Sequence, residues 1–242
     1  MTLPETIATE TSRSRVLRLA GTVILSALYV LVALAKLTQM VRALRLMDDG
    51  EAAKHLFVAT YAASGAVFFG ILGGIMIVRS QPVRRDRRLV GWVLPIVVMV
   101  LFSFLGTAEL EAESTALLFA AAVLATAGTA FMVYSLRYLG RSFGVVSDVR
   151  SFVSTGPYRW VRHPLYAGEA IATLGLLLGV LSPFTVALFC VAMALQMVRA
   201  RVEEQAVTAA FPAYAAYAER TPMLIPFVPV RYGGSSSRHR PG

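Results

Sequence analysis

The chain has 242 residues, of which 57% are hydrophobic and only 15% charged, with a mean hydropathy of +0.65. That balance excludes a water-soluble enzyme, a nucleic-acid-binding domain and a disulfide-built secreted module, since a soluble domain of this size needs far more polar surface. The formal net charge of +9 is therefore read first against membrane topology, and no nucleic acid is inferred from it.

Residues 1 to 12 are polar and contain no apolar stretch, so they read as a mobile tail and not as a cleavable signal peptide; the disordered N-terminal tail is set at 1 to 15. Apolar runs long enough to cross a hydrocarbon core of about 30 Å then recur along the chain. They predict an all-α integral membrane protein with six spanning helices at roughly 16 to 39, 56 to 78, 89 to 107, 115 to 136, 165 to 181 and 184 to 200. The N-terminal membrane helices occupy 16 to 136, a core follows over 137 to 230, and a Gly/Ser/Arg-rich tail over 231 to 242 reads as disordered.

Basic residues fall overwhelmingly on one side of this division. Arg13, Arg15 and Arg18 lie in the N-terminal segment at the start of the first span; Arg79, Arg84, Arg85, Arg87 and Arg88 fill the second loop; Arg137, Arg141, Arg150, Arg159 and Arg162 fill the fourth; and further arginines run from Arg199 to Arg240. The other side holds only Lys36, Arg42, Arg45 and Lys54. Because Lys and Arg prefer the cytoplasmic face, both termini are predicted to be cytoplasmic, with the basic surface meeting anionic headgroups. The preponderance of arginine, with much Ala and Val, suits a bacterial plasma membrane.

Ser182-Pro183 alone separate the fifth and sixth spans, which predicts a tight antiparallel hairpin. Gly70 with Gly74, and Gly175 with Gly179, have the spacing that lets membrane helices approach closely. The lone Cys190 lies in an apolar run as a small lipid-facing or core residue. After Arg201 a mixed stretch through Tyr217 predicts a helical extension leaving the membrane over the cytoplasmic face, stopped by Pro222, Pro226 and Pro229. Glu109, Glu111 and Glu113 lie toward the opposite face without a His or Asp to complete a metal site, and His55 and His239 stand apart from any polar cluster.

Polar groups concentrate in the loop 137 to 166 and at the end of the sixth span, and the hairpin brings the two together. Arg199 and Glu203, four residues apart, share a helix face, where they can pair with each other or with a bound zwitterion. Ionisable residues at a membrane boundary are costly unless solvated or paired, which makes Arg199, Arg201, Glu203 and Glu204 site candidates.

The loop reads Gly156-Pro157-Tyr158-Arg159-Trp160-Val161-Arg162-His163-Pro164-Leu165-Tyr166-Ala167-Gly168, followed later by Arg199-Ala200-Arg201-Val202-Glu203-Glu204 and by Phe211, Tyr214, Tyr217 and Pro226. In that order and spacing, roughly over 137 to 227, the chain resembles the isoprenylcysteine carboxyl methyltransferase family with its bacterial and phospholipid-methylating relatives. The resemblance implies a membrane-embedded methyltransferase that uses S-adenosyl-L-methionine at the cytoplasmic face. Its acceptor is lipophilic or membrane-partitioned, isoprenylcysteine carboxylate-like, and enters from the bilayer. It also implies a cofactor site at Phe143, Arg150, Ser151, Phe152, Val153, Tyr158, His163, Pro164, Leu165, Tyr166 and Glu203, with Arg199 binding the acceptor and Glu203 and Glu204 joining it in catalysis.

The residue chemistry is compatible with this. A sulfonium cofactor presents an ammonium, a carboxylate, ribose hydroxyls and an adenine, and so needs a carboxylate, hydrogen-bond donors and an aromatic slot. Glu203 can meet the ammonium or a ribose hydroxyl, His163 and Tyr158 can donate, and Tyr166 and Phe152 can cover ring surfaces. Glu204 or His163 could serve as base for an amine or thiol. Arg159 and Arg162 are expected at headgroups, and Tyr214 and Tyr217 in packing. Two other readings are a membrane reductase of related fold using NADPH and a non-catalytic carrier or scaffold.

Overall fold

A computed structural model describes residues 12–78, 93, 94, 97, 98, 100, 101, 105, 110, 112–140 and 152–226. The tail 1–11, most of the third expected span, the basic loop 79–92, Glu109, Glu111, residues 141–151 and the segment from 227, including Pro229 and His239, lie outside the described residues. Those residues of the third span that are described (Val93, Leu94, Val97, Val98, Val100, Leu101, Leu105) are helical.

In hydrocarbon no water can satisfy a backbone N–H or C=O, so an uninterrupted apolar run closes its hydrogen bonds within itself as a helix. The chain follows this rule, and no strand occurs among the described residues. Its helices are α1 (Ser12–Arg45), α2 (Ala52–Val78), α3 (Thr115–Leu139), α4 (Pro164–Gly179), α5 (Pro183–Ala210) and α6 (Ala213–Arg220), with a 3-10 turn at Gly156–Arg159 before α4. Helix α1 begins inside the segment assigned to the tail at 1 to 15.

Among the described residues four helices, α1, α2, α3 and α5, are long and apolar enough to cross a membrane, whereas α4 is apolar but has only 16 residues. Their outward faces carry large apolar side chains, among them Val23, Leu31, Phe119, Phe184 and Val191, the surface that lipid requires. Cys190 is also exposed on such a face. Helix α5 runs ten residues past the predicted end of its span, so the expected extension is continuous with it until Phe211-Pro212 interrupts it ahead of α6.

The core that positions the site is the seam of α3 against α4. A Cβ built on Gly128 would lie 2.3 Å from the Ala172 nitrogen, one on Gly175 2.5 Å from the Ala125 nitrogen, and one on Gly168 2.7 Å from the Met132 side chain. Only glycine permits that approach. Gly179 is likewise tight, against Phe57, but nothing lies within 4 Å of a Cβ at Gly70 or Gly74, so that second expected packing pair makes no helix contact. Phe57, Leu118, Ala121, Leu176, Leu177 and Val180 fill the cluster where α2, α3 and α4 meet.

The predicted hairpin is present. Ser182 caps α5, its hydroxyl accepting from the Thr185 backbone nitrogen at 3.3 Å while the Thr185 hydroxyl accepts from the Ser182 nitrogen at 2.9 Å, and Pro183 opens the helix where its missing N–H costs nothing. Pairings of residue 163 with 204, 166 with 203 and 169 with 196 show that α4 and α5 run antiparallel.

Candidate active site

Two local devices aim the loop. Gly156 has φ +59°, and a Cβ there would fall 2.3 Å from the Tyr138 ring, so glycine is required for the chain to turn against α3. The 3-10 turn that follows buries Pro157 and Tyr158 and leaves Arg159 and Trp160 exposed. Pro164 then begins α4, with His163 immediately before it.

The loop is pinned to the segment after α6 by backbone bonds from Arg162 N to Pro222 O (2.8 Å) and from His163 N to Met223 O (3.0 Å). Arg162 adds a side-chain lock. Its Nε donates to Glu204 Oε1 at 2.6 Å and Nη2 to Oε2 at 3.3 Å, while Nη1 donates to the carbonyls of Ala218 (2.6 Å) and Thr221 (2.7 Å). With a side chain 1% exposed, Arg162 is not the headgroup contact expected of it; it joins loop, α5 and α6. Glu204 Oε1 also meets His163 Nε2 at 3.1 Å. Bonded on both oxygens, Glu204 is arranged to hold the loop and orient the imidazole, not to take a proton.

One turn away, Glu203 Oε1 accepts from the Tyr166 hydroxyl and from Arg199 Nε at 3.2 Å. The Arg199 guanidinium lies over the Tyr166 ring, 4.9 Å from its centroid, and the His163 ring stacks on the same tyrosine at 5.2 Å and 7°. Arg199 and Glu203 are thus paired with each other, as their spacing predicted. Arg201 is on the exposed side of the same helix.

These groups wall a cavity of about 140 Å³. Of the residues predicted for the cofactor, Phe152, Val153, Tyr158, His163, Leu165, Tyr166 and Glu203 line it, together with Arg199 and Glu204. Pro164 is buried as the first residue of α4 and shapes the wall without lining it. Phe143, Arg150 and Ser151 lie outside the described residues.

Tyr214 and Tyr217 also line the cavity, where only packing was expected. Their rings meet Phe152 at 5.3 and 5.1 Å, forming an aromatic wall, and the Tyr217 hydroxyl donates to the Tyr158 carbonyl. Burial holds the phenols of Tyr158 and Tyr217 well above the ordinary tyrosine range, so both remain neutral donors at physiological pH. The spacing of Tyr214 and Tyr217 puts both on one side of a helix, but does not distinguish a side that faces a cavity from one that packs. Glu169, whose carboxylate accepts from Gln196 Nε2, was missed altogether because it sits inside an apolar run.

Comparison with known proteins finds similarity over the same part of the chain. Residues 110–213 match the family described as phospholipid methyltransferase. A curated relative, the cobalt-zinc-cadmium resistance protein CzcN of Cupriavidus metallidurans, is 36% identical over 87 residues; the match covers 36% of this chain and 40% of the length of that protein. A solved eukaryotic intramembrane Ras methyltransferase, an isoprenylcysteine carboxyl methyltransferase, aligns over 86% of this chain and 98% of its own at 15% identity, with a TM-score of 0.45. The similarity to the phospholipid methyltransferase family thus runs from just before α3 to just after α5, the stretch that contains most of the cavity's lining residues.

Proposed function

We propose that the protein is an integral membrane methyltransferase that takes its methyl group from S-adenosyl-L-methionine and gives it to a lipophilic acceptor reaching the site from the bilayer. The observation that carries this reading is the single cavity shared by His163 and Tyr158 from the loop and Arg199 and Glu203 from α5, with an aromatic wall of Phe152, Tyr214 and Tyr217.

The residues fit such a cofactor. Glu203 uses Oε1 for Tyr166 and Arg199, which leaves Oε2 without a donor among the described residues and suited to an ammonium or a ribose hydroxyl. Phe152 and the two tyrosines offer flat apolar surface for an adenine. When bound, the cofactor supplies an electrophilic methyl group on a sulfonium. The protein's part is alignment and exclusion of water: Tyr166, held by Glu203 and stacked between His163 and Arg199, fixes the floor, and the Arg162–Glu204 lock keeps the loop closed over it. Arg199 orients the acceptor. The reading takes 137–230 as the methyltransferase core behind N-terminal membrane helices over 16–136, and the arginine distribution along the sequence supports a cytoplasmic cavity and cytoplasmic termini in a bacterial plasma membrane with anionic headgroups.

Calorimetric titration of the detergent-purified chain with S-adenosylhomocysteine tests the reading. Saturable binding is expected, Glu203→Ala should weaken it, and Arg199→Ala should largely preserve it while cutting methyl transfer by about 100-fold or more. Saturable binding of NADPH with none of S-adenosylhomocysteine would replace this reading with a reductase, and the reverse order of effects in the two variants would exchange the residues' roles.

A further inference from the structure

Past the Arg199–Glu203 pair, the interface of α4 and α5 contains a second polar rung. Glu169 follows Tyr166 by three residues and Gln196 precedes Arg199 by three, so on antiparallel helices both are displaced toward the Ser182-Pro183 turn, by about 4.5 Å along each axis. That direction leads into the apolar part of the hairpin. Here Gln196 Nε2 donates to Glu169 Oε2. Gln196 is 2% exposed, and its Oε1 is buried with no hydrogen-bond partner.

Their mutual bond joins α4 to α5 but leaves the Gln196 oxygen unused. An ionisable group among apolar helices is costly, as is a buried oxygen left without a donor, and both features point to a ligand that supplies what the protein does not. Glu169 is also within electrostatic reach of Arg199 and Glu203, which makes the rung continuous with the cavity's cationic side chain. Arg162 is taken up by Glu204, and Arg199 has Glu203 bonded to it and Glu169 within electrostatic reach. A carboxylate head group has only acceptor oxygens to offer and would leave the Gln196 oxygen without a donor.

We propose that Glu169 and Gln196 form the acceptor-side subsite, which receives a lipophilic acceptor through hydrogen bonds that the acceptor's own head group donates and so favours an N–H, O–H or S–H head over a carboxylate. The inference rests on the methyltransferase reading for what it calls the acceptor. The Gln196 carbonyl oxygen takes one donated bond, the Glu169 carboxylate takes another, and Arg199, between this rung and Glu203, separates the acceptor from the cofactor's carboxylate partner.

Binding of tritiated dodecylamine and of tritiated dodecanoate to the full chain in nanodiscs, counted above empty discs, tests it alongside S-adenosylhomocysteine titration. Saturable dodecylamine binding is expected, weaker by about tenfold or more in both Glu169→Gln and Gln196→Met, with the S-adenosylhomocysteine affinity of each variant within about twofold of wild type. Retained cofactor affinity shows that the variants are folded; if Glu169→Gln does not fold, Gln196→Met decides alone. Preference of the wild type for dodecanoate, or unchanged dodecylamine binding in Gln196→Met, would overturn the subsite. Amine binding that depends on the pair in a protein that does not bind S-adenosylhomocysteine would support the subsite and defeat the methyltransferase reading.

Discussion

Arg162 satisfies its guanidinium from three directions at once, through the two oxygens of Glu204 and the carbonyls of Ala218 and Thr221. Removing it would strand a buried carboxylate and two carbonyls, so Arg162→Leu should destabilise the protein by about 3–5 kcal/mol. Thermal unfolding in detergent would show the loss, and Arg162→Lys, which keeps the charge without the planar fork, should recover only part of it. The sequence could not assign this role: an arginine beside a histidine-proline pair reads as surface charge until the depth of the loop is known. His163, Tyr158, Tyr166 and Glu203 were legible because their order and spacing form a pattern. Glu169, Tyr214 and Tyr217 were not, since a lone acid in an apolar run and two tyrosines in a short amphipathic stretch carry no spacing that separates a cavity wall from packing.

Among the elements, α3 and α4 show what a glycine pattern does and does not say. Gly175→Val would drive its side chain into the backbone of Ala125, which α3 can relieve only by moving away, and it should cost about 1–3 kcal/mol or more while opening the seam under the site. Gly74→Ala meets open space and should be neutral or stabilising by up to about 1 kcal/mol from helix propensity. Unfolding of the two variants side by side checks the contrast. The spacing of Gly70 with Gly74 is the same as that of Gly175 with Gly179, and the sequence treated them alike; which helix face meets a neighbour is decided by tertiary geometry, not by spacing. Gly128 escaped notice, and Gly168 was read only as the end of the loop motif, because the two pair across two helices instead of along one. The hairpin itself was legible in full, since two residues between apolar runs leave the chain no other path.

At the scale of the whole molecule, composition alone indicated the membrane, and the long helices with apolar outer faces agree. Boundaries were less legible: α5 passes smoothly from hydrocarbon into a polar extension, and hydropathy falls where the helix does not. The distribution of arginine makes a topological prediction of its own. A reporter active only in the cytoplasm, fused at the C-terminus, should be active, and one active only outside should be silent; the opposite result would invert the orientation and move the cavity to the other face.

Helix α4 has 16 residues, about 24 Å of rise, against a hydrocarbon layer of about 30 Å. Tethered by a three-residue connection at one end and by the pinned loop at the other, it cannot lengthen, so the bilayer must thin around it or the imidazole end must sink below the headgroups. Under the proposed methyltransferase function, membrane thickness thereby acts as a control on turnover. Reconstituted into phosphatidylcholines of increasing acyl length, the protein should turn over fastest in the thinner bilayers and slow as the chains lengthen, while its affinity for S-adenosylhomocysteine in detergent stays constant.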